Sequence, residues 1–257
     1  MIITASAMFP GGSDSHSPIV LVHGAANSAY VFWKFWQREL AARGWPTYAI
    51  DLRGHGNSDP ADLSHTSMND YADDVYALVR QLRRKPILVG WSMGGLIAMM
   101  VASSGHGAAC VALAPSLPAR QPNPSIELRT GEFTAEEYGI LNRDPEEQPA
   151  MPDLDLEERK VALSSLSRES RLARDERRRG IVIEALPCPL LIVTGTLDEQ
   201  WPNHRYDDLW LRADRLSVEG ASHWGLVLNK RALAKAIPEV LNWIETSCGL
   251  IVLQHLP

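Results

Sequence analysis

The residues best suited to chemistry are a serine, an aspartate and a histidine, each of which follows a short apolar run. Ser92 lies within "LVGWSMGGLIAMM", between a run typical of a buried strand and a run typical of a helix. Asp198 follows "LLIVTGTL", and His223 follows "DRLSVEGAS". A serine hydroxyl becomes a nucleophile at neutral pH when an imidazole accepts its proton and a carboxylate orients that imidazole. The three residues therefore predict nucleophilic catalysis by a Ser-His-Asp triad.

The residues around the serine predict a sharp turn. Gly90-Trp91-Ser92-Met93-Gly94 matches the pattern G-x-S-x-G, with a strand expected before it and a helix after it. Such a turn strains the serine backbone and lifts its hydroxyl above the sheet edge, and side chains at the two glycine positions would collide there. The alternative is that Ser92 is only a small residue at a crowded turn. The helix that follows would direct free N–H groups at an anion formed beside the serine.

Other ionisable residues are weaker candidates for the triad. We expect structural roles for His23 and His55, which lie in short loops beside glycines. His204 is near the aspartate in sequence but falls at the start of a predicted helix, so the later histidine is the better base. Glu199, directly after the aspartate, is a possible substitute acid.

Short apolar runs alternate along the chain with stretches of helical period, which is typical of a parallel sheet covered by helices. The pattern predicts strands over 18–24, 46–52, 86–91, 109–115, 188–198 and 214–220, and helices over 30–44, 67–85, 93–104, 204–212 and 230–247. The fold class is therefore α/β, with a mostly parallel central sheet flanked by helices.

Residues 116–187 interrupt this alternation. They are rich in Pro, Glu and Arg and contain charged, helix-like segments. We predict a core of residues 1–115 and 188–257, with 116–187 inserted as a helical cap over the carboxyl edge of the sheet, where α/β folds place their ligands. Acids alternate with arginines in "RLARDERRRG" (171–180), which favours a solvated helix face over an anion site.

Composition excludes several classes of partner. The net charge of −6 and a pI near 5.8 argue against nucleic acid or an anionic membrane, since those partners select for clustered Lys and Arg. Cys110, Cys188 and Cys248 are too widely spaced for a disulfide framework or a zinc site, so we expect buried, reduced thiols and no metal or cofactor. Without a leader or a membrane span, a cytoplasmic monomer or homodimer is expected. The apolar tail "CGLIVLQHLP" has no assigned role.

Taken together, the motifs resemble the α/β-hydrolase fold. The resemblance runs from about residue 19 to 246 and is carried by "HGAAN" (23–27), "DLRGHGNSD" (51–59), "GWSMGG" (90–95), "GTLDEQWP" (195–202) and "GASHWG" (220–225). It implies Ser92 as nucleophile, His223 as base and Asp198 as acid. It also implies an oxyanion hole formed by the backbone N–H groups of Ala25 and Met93.

Aromatic residues near these motifs predict an apolar substrate pocket. Three tryptophans flank the triad in sequence, and more aromatic residues follow the "HGAAN" loop. The alternative is that they pack in the core. The pocket candidates are Trp91, Trp201, Trp224, Tyr30 and Phe32, with Trp33 beside them.

The serine narrows the reaction that the resemblance implies. Dehalogenases and epoxide hydrolases of this fold would need an aspartate at position 92. The elbow is similar to that of bacterial carboxylesterases, including the methyl ester esterase that acts on pimeloyl-carrier protein, and less closely to that of cofactor-free perhydrolases. The resemblance thus implies a hydrolase of small to medium, apolar acyl esters that works through an acyl-enzyme. A lactonase or a carbon-carbon bond hydrolase would share the triad, and a ligand receptor or partner-binding module could share the fold.

Overall fold

The structure is a computed structural model that describes residues 1–11 and 16–248. Its strands are β1 (Thr4–Met8), β2 (Ile19–Val22), β3 (Thr47–Asp51), β4 (Ile87–Trp91), β5 (Ala109–Leu113), β6 (Glu132–Phe133), β7 (Glu169–Ser170), β8 (Leu190–Gly195) and β9 (Asp214–Val218). Its α-helices are α1 (Tyr30–Phe32), α2 (Arg38–Ala42), α3 (Met68–Val79), α4 (Met93–Ser103), α5 (Leu156–Ser164), α6 (Arg171–Arg179), α7 (Gly225–Leu228) and α8 (Lys230–Ser247). Among these residues, no helix is both long and apolar enough to cross a bilayer.

The main sheet of the described residues has seven strands in the order β1-β3-β2-β4-β5-β8-β9. Every pairing is parallel except that of β1 with β3 at one edge. The carboxyl ends of the six parallel strands therefore meet at one edge of the sheet. The predicted fold, a mostly parallel sheet flanked by helices, is confirmed.

Both faces of the sheet are buried, which explains the unbroken apolar runs of the central strands. Successive side chains of a strand point to opposite faces. In β4, Val89 packs in one core cluster with Trp36, from the helical turns before α2, and with Ile237 of α8. Its neighbour Leu88 packs in the other cluster with Leu96 of α4.

The predicted elements differ from the structure at several places, among them α3, which ends at Val79 and not at residue 85. The helix expected over 30–44 contains a π-helical segment, Trp33–Gln37, between α1 and α2. The helix expected over 204–212 is wrong, because only one 3₁₀ turn, Asn203–Tyr206, forms there. The Tyr206 side chain is fully buried and donates to the Pro115 carbonyl at 2.9 Å. This contact holds the segment against the core, and the helix does not continue past the 3₁₀ turn. The edge strand β1 lacks clear alternation and was not predicted.

Residues 116–187, called the cap segment below, lie between β5 and β8. They contain α5, α6 and a separate antiparallel pair of strands, β6 and β7. Their division from the core as a cap stays a prediction.

The cysteines are free but not equally buried. Cys110 is buried, Cys188 is partly buried and Cys248 is exposed, so the expectation of buried thiols is wrong for Cys248. Cys248 also begins the apolar tail, whose remaining residues lie outside the described part of the chain.

The start of α3 gives a direct test of local stability. The Ser67 side chain accepts from the Asp70 N–H at 3.1 Å, and the Asp70 carboxylate accepts from the Ser67 N–H at 2.9 Å, which together form a capping box. We expect Ser67→Ala to lower the free energy of unfolding by about 1 kcal/mol. Urea denaturation followed by circular dichroism measures this loss. Ser103→Ala, at an exposed position near the end of α4, is the control, and an equal loss in both variants would contradict the capping role.

Candidate active site

The turn between β4 and α4 holds Ser92 in a rare backbone conformation, with φ of 56° and ψ of −116°. A Cβ atom on Gly90 would overlap the carbonyl oxygen of Gly94. A Cβ atom on Gly94 would overlap the carbonyl oxygens of Val22 and His23. Only glycine fits at either position, because the first turn of α4 lies directly on the strand backbones. The left-handed conformation of Ser92 follows from this close packing.

Asp198 and His223 form a hydrogen-bonded pair at the ends of β8 and β9. The Asp198 Oδ2 atom lies 2.7 Å from His223 Nδ1, which donates because an ionised carboxylate can only accept. The other oxygen, Oδ1, accepts from the N–H groups of Gln200 at 3.1 Å and Trp201 at 2.9 Å. Burial acts to raise the pKa of Asp198, but His223 and these N–H groups hold that pKa below its ordinary value. The carboxylate is therefore ionised and fixes the histidine tautomer, which leaves Nε2 as a proton acceptor.

A cavity of about 450 Å³ lies at this edge of the sheet. The three candidate catalytic residues, Ser92, Asp198 and His223, all line it. The cap segment also contributes lining residues: Ser116, Ala135, Tyr138, Ile140, Pro149, Ala150, Pro152 and Arg177. Glu199 lines the cavity as an exposed residue, whereas His204 is exposed in a 3₁₀ turn and is not among the lining residues.

The two candidate oxyanion donors lie next to the serine. Ala25 lines the cavity. Met93 is the first residue of α4, so the Met93 N–H has no acceptor within the helix. His23 shapes the loop that carries Ala25. Its Nδ1 donates to the Gly24 carbonyl at 2.8 Å, and its Nε2 accepts from the Leu52 N–H at 3.2 Å. Burial lowers the pKa of His23 to about 4, so it is neutral and occupied with this structural task.

The cap segment reaches the same loop through Glu169, which is completely buried. Its Oε1 accepts from the Tyr71 hydroxyl at 2.5 Å and the Ser170 N–H at 2.7 Å. Its Oε2 accepts from the N–H of Ala26 at 3.0 Å and lies 3.6 Å from His55 Nε2, an ion-pair distance longer than a hydrogen bond. Ala26 has a φ of 55°, which is costly for alanine, so the carboxylate stabilises a strained loop.

Glu169 and His55 shift each other's pKa in opposite directions. Burial acts to raise the pKa of Glu169, but the adjacent His55 outweighs it and lowers that pKa to about 2. Burial likewise acts to lower the pKa of His55, yet the carboxylate raises it above its ordinary value. The expected structural role of His55 therefore has a specific form, that of a buried partner for the cap segment.

A second carboxylate of the cap segment holds the loop that carries the histidine. Asp153 Oδ2 accepts from the Ser222 N–H at 3.0 Å and from the Asn229 side-chain amide at 3.0 Å. A Cβ atom on Gly225 would overlap this carboxylate oxygen, so a glycine is required for the contact. Sequence reasoning missed both Asp153 and Glu169, because neither lies in a recognisable motif.

Three of the five aromatic pocket candidates line the cavity: Trp91, Trp201 and Trp224. The indole of Trp91 also packs on Trp224, with 4.9 Å between ring centroids, and its Nε1 donates to the His223 carbonyl at 3.0 Å. Trp91 is thus a wall of the cavity and a support of the histidine loop.

The pocket expectation is wrong for Tyr30 and Phe32, which do not line the cavity. Phe32 is fully buried in the core, edge-on to Trp36 with 6.5 Å between centroids. Tyr30 is exposed and stacks on Trp33 at 5.8 Å. The helix that begins at Tyr30 turns one of these rings into the core and the other into solvent.

The prediction of a solvated face for 171–180 is also wrong at one position. Arg177 lines the cavity, whereas the next residue, Arg178, has a side chain that is 56% exposed. Ala173, one turn before Arg177, is completely buried. This small apolar residue among charged ones was the available signal that one face of α6 points inward.

With this geometry in place, the chain can be compared with known proteins. A sequence family described as "Alpha/beta hydrolase family" matches residues 19–236. The chain belongs to the alpha/beta hydrolase family. Among curated relatives, this alpha/beta hydrolase is 30% identical over 141 residues to an esterase of Mycobacterium tuberculosis, a match that covers 53% of this chain and 42% of the relative. It is 31% identical over 107 residues to the pimeloyl-[acyl-carrier protein] methyl ester esterase of Shewanella woodyi, covering 40% and 38%.

The eight first curated relatives are matched over 24% to 42% of their own length. A solved structure, that of a thermophilic esterase from Thermogutta terrifontis with malate bound, superposes with a TM-score of 0.69. That match covers 94% of this chain and 93% of the esterase at 21% identity, and so shows the shared fold. Family and relatives together support a hydrolytic enzyme.

Removal of the Glu169 charge tests how the cap segment is held. Breaking a buried ion pair leaves an unbalanced group, so Glu169→Gln is expected to lower the free energy of unfolding at pH 7 by on the order of 3 kcal/mol. Because the pKa of Glu169 is about 2 in the folded chain, against about 4.3 unfolded, its stabilisation is present above pH 4.3 and is lost as pH falls toward 2. Between pH 4.3 and 2, Glu169→Gln should therefore lose less of its free energy of unfolding than the unmodified protein.

Urea denaturation at pH 7, 4 and 3 measures both effects. Glu157→Gln is the matched control, because Glu157 pairs with Lys160 on the surface and should contribute little. Equal acid sensitivity of Glu169→Gln and the unmodified protein would contradict the role of this pair.

Proposed function

We propose that the protein hydrolyses carboxylic esters of small to medium acyl groups, with Ser92 as nucleophile, His223 as general base and Asp198 as the residue that orients the base. The observation that carries this proposal is the His223–Asp198 pair, 2.7 Å apart, at the same cavity as a serine held with a φ of 56°. Esterase activity of the relatives supports the reaction class.

Acylation begins when Ser92 Oγ attacks the ester carbonyl carbon while His223 Nε2 accepts the hydroxyl proton. The negative charge that develops on the carbonyl oxygen is stabilised by the N–H groups of Ala25 and Met93 and by the positive end of α4. The Asp198 carboxylate stabilises the imidazolium. Collapse of the intermediate breaks the ester bond, and His223 gives its proton to the departing alcohol.

Deacylation repeats these steps with water. His223 accepts a proton from a water molecule, which attacks the acyl-enzyme carbonyl, and the same two N–H groups stabilise the second intermediate. The proton then returns to Ser92 Oγ as the carboxylic acid leaves. Besides the ester and water, these steps use the side chains of Ser92, His223 and Asp198 and the N–H groups of Ala25 and Met93.

The cavity sets the expected substrate size. Its volume of about 450 Å³ lies toward the small end of ligand pockets. Trp91, Trp201 and Trp224 supply apolar surface for the hydrocarbon part of the substrate. A cavity of this size and lining fits a small-molecule ester better than an ester with a long lipid chain.

Hydrolysis of p-nitrophenyl esters from acetate to decanoate tests the nucleophile. We expect activity with an optimum at short or medium chains, and a loss of about 10⁶-fold in kcat for Ser92→Ala, since triad members act as a unit. Release of p-nitrophenolate measures the rate. If Ser92→Ala kept most of its activity, the serine would not be the nucleophile.

A second pair of variants tests the acid. Asp198→Asn keeps the shape but favours the wrong histidine tautomer, so kcat should fall by about 10⁴-fold. Glu199→Gln should retain most of its activity, because among the described residues Asp198, and not Glu199, is the carboxylate that pairs with the His223 imidazole. The reverse order of the two losses would make Glu199 the acid.

A further inference from the structure

One cation enters the candidate active site from the cap segment. Arg177, on α6, lines the cavity together with Ser92. Its guanidinium Nη2 donates to the Tyr138 hydroxyl at 3.2 Å, and Nη1 lies 3.5 Å from Ser116 Oγ. Its Nε lies 3.4 Å from the Ala173 carbonyl oxygen. Each of these partners is neutral.

Arg177 differs in this respect from three other arginines of α6. Arg171 and Arg174 both pair with Glu137, and Arg178 lies within ion-pair distance of Asp175. Within residues 1–11 and 16–248, no carboxylate oxygen lies within 4 Å of the Arg177 guanidinium.

The buried Glu169 attracts Arg177 electrostatically, but it does not replace a direct partner. Its two oxygens already accept from Ala26, Tyr71 and Ser170. The planar guanidinium therefore keeps N–H donors available on the cavity side.

The guanidinium is also close to the reacting centre. Ser116, whose hydroxyl lies beside Arg177, donates its own N–H to the carbonyl oxygen of Ser92 at 3.1 Å. Ser116 therefore contacts both Arg177 and Ser92, and a group bound by Arg177 would share one cavity with the nucleophile. A short chain is enough to join that group to an ester carbonyl at Ser92.

We propose that Arg177 binds a carboxylate of the substrate, so that the preferred ester is an anion with a carboxylate a few carbon atoms from the scissile bond. This inference rests on the proposed esterase function. One planar fork fits one carboxylate in a two-point contact. A phosphate dianion would call for more positive charge, and Asp198 and Glu199 on the same cavity add negative charge instead. The tryptophan wall then takes the apolar spacer.

Two matched pairs of esters test this proposal. In the first pair, p-nitrophenyl hydrogen adipate carries the carboxylate on the acyl side, and p-nitrophenyl hexanoate is its neutral counterpart. In the second, carboxymethyl butyrate carries it on the alcohol side, with ethyl butyrate as counterpart, followed by titration of the released acid. The unmodified protein should prefer the anionic member of at least one pair, which also identifies the side that carries the carboxylate.

Arg177→Gln should lower kcat/KM for that anionic ester by about 10- to 100-fold, mainly through KM, because a charged hydrogen bond made in both ground and transition states is lost. Hydrolysis of the neutral partner should change little and shows that the variant is folded. Arg177→Lys should restore part of the preference, since it keeps the charge and loses the fork. Arg178→Gln is the control and should leave both esters unaffected.

These outcomes distinguish a failure of the proposed carboxylate subsite from a failure of the proposed esterase function. No preference for either anionic ester in the unmodified protein, or an equal loss on neutral and anionic esters in Arg177→Gln, would overturn the carboxylate subsite. If none of the four esters were hydrolysed in a Ser92-dependent manner, the proposed esterase function itself would fail.

Discussion

The arrangement of this molecule depends on one close contact, in which the first turn of α4 lies directly on the backbones of β2 and β4. Gly90 and Gly94 permit that approach, since a Cβ atom at either position would overlap a carbonyl oxygen. The contact leaves Ser92 with its φ of 56° at the carboxyl edge of the sheet. Because the other parallel strands end at the same edge, the loops after β8 and β9 bring Asp198 and His223 to the cavity that Ser92 lines.

The cap segment does more than cover this edge. Asp153 accepts from the loop that carries the histidine, and Glu169 accepts from the loop that carries the candidate oxyanion donor Ala25. Both carboxylates belong to the cap segment and accept hydrogen bonds from backbone N–H groups of the core. The geometry of the two loops therefore depends on how the cap segment is seated, so a displacement of this segment would alter the reacting centre as well as its access.

The features that could be predicted from the sequence are those set by residues that are close together in the chain. The strand, turn and helix around Ser92 are local, and Asp198 and His223 each follow a strand, so their places at the sheet edge were predictable. Family membership is consistent with the five motifs that suggested it. The role of Glu169 was not predicted, because its partners Tyr71 and Ala26 lie 98 and 143 positions away in the chain. The partners of Arg177, Tyr138 and Ser116, lie 39 and 61 positions away. Tyr30 failed as a pocket residue since proximity to a motif in sequence does not determine the direction of a side chain.

The double contact of Trp91 has a consequence for how this pocket can change. Its ring forms part of the wall, while its Nε1 supports the histidine loop through the His223 carbonyl. A smaller residue there would both enlarge the pocket and weaken the support of His223, the candidate base, so substitutions on this side carry a cost. Ala135 and Ile140 belong to the cap segment and also line the cavity. Among the described residues, their side chains make no such bond to the loops that carry the candidate catalytic residues. Divergence of substrate preference, in nature or in the laboratory, is therefore most accessible through the cap side of the cavity.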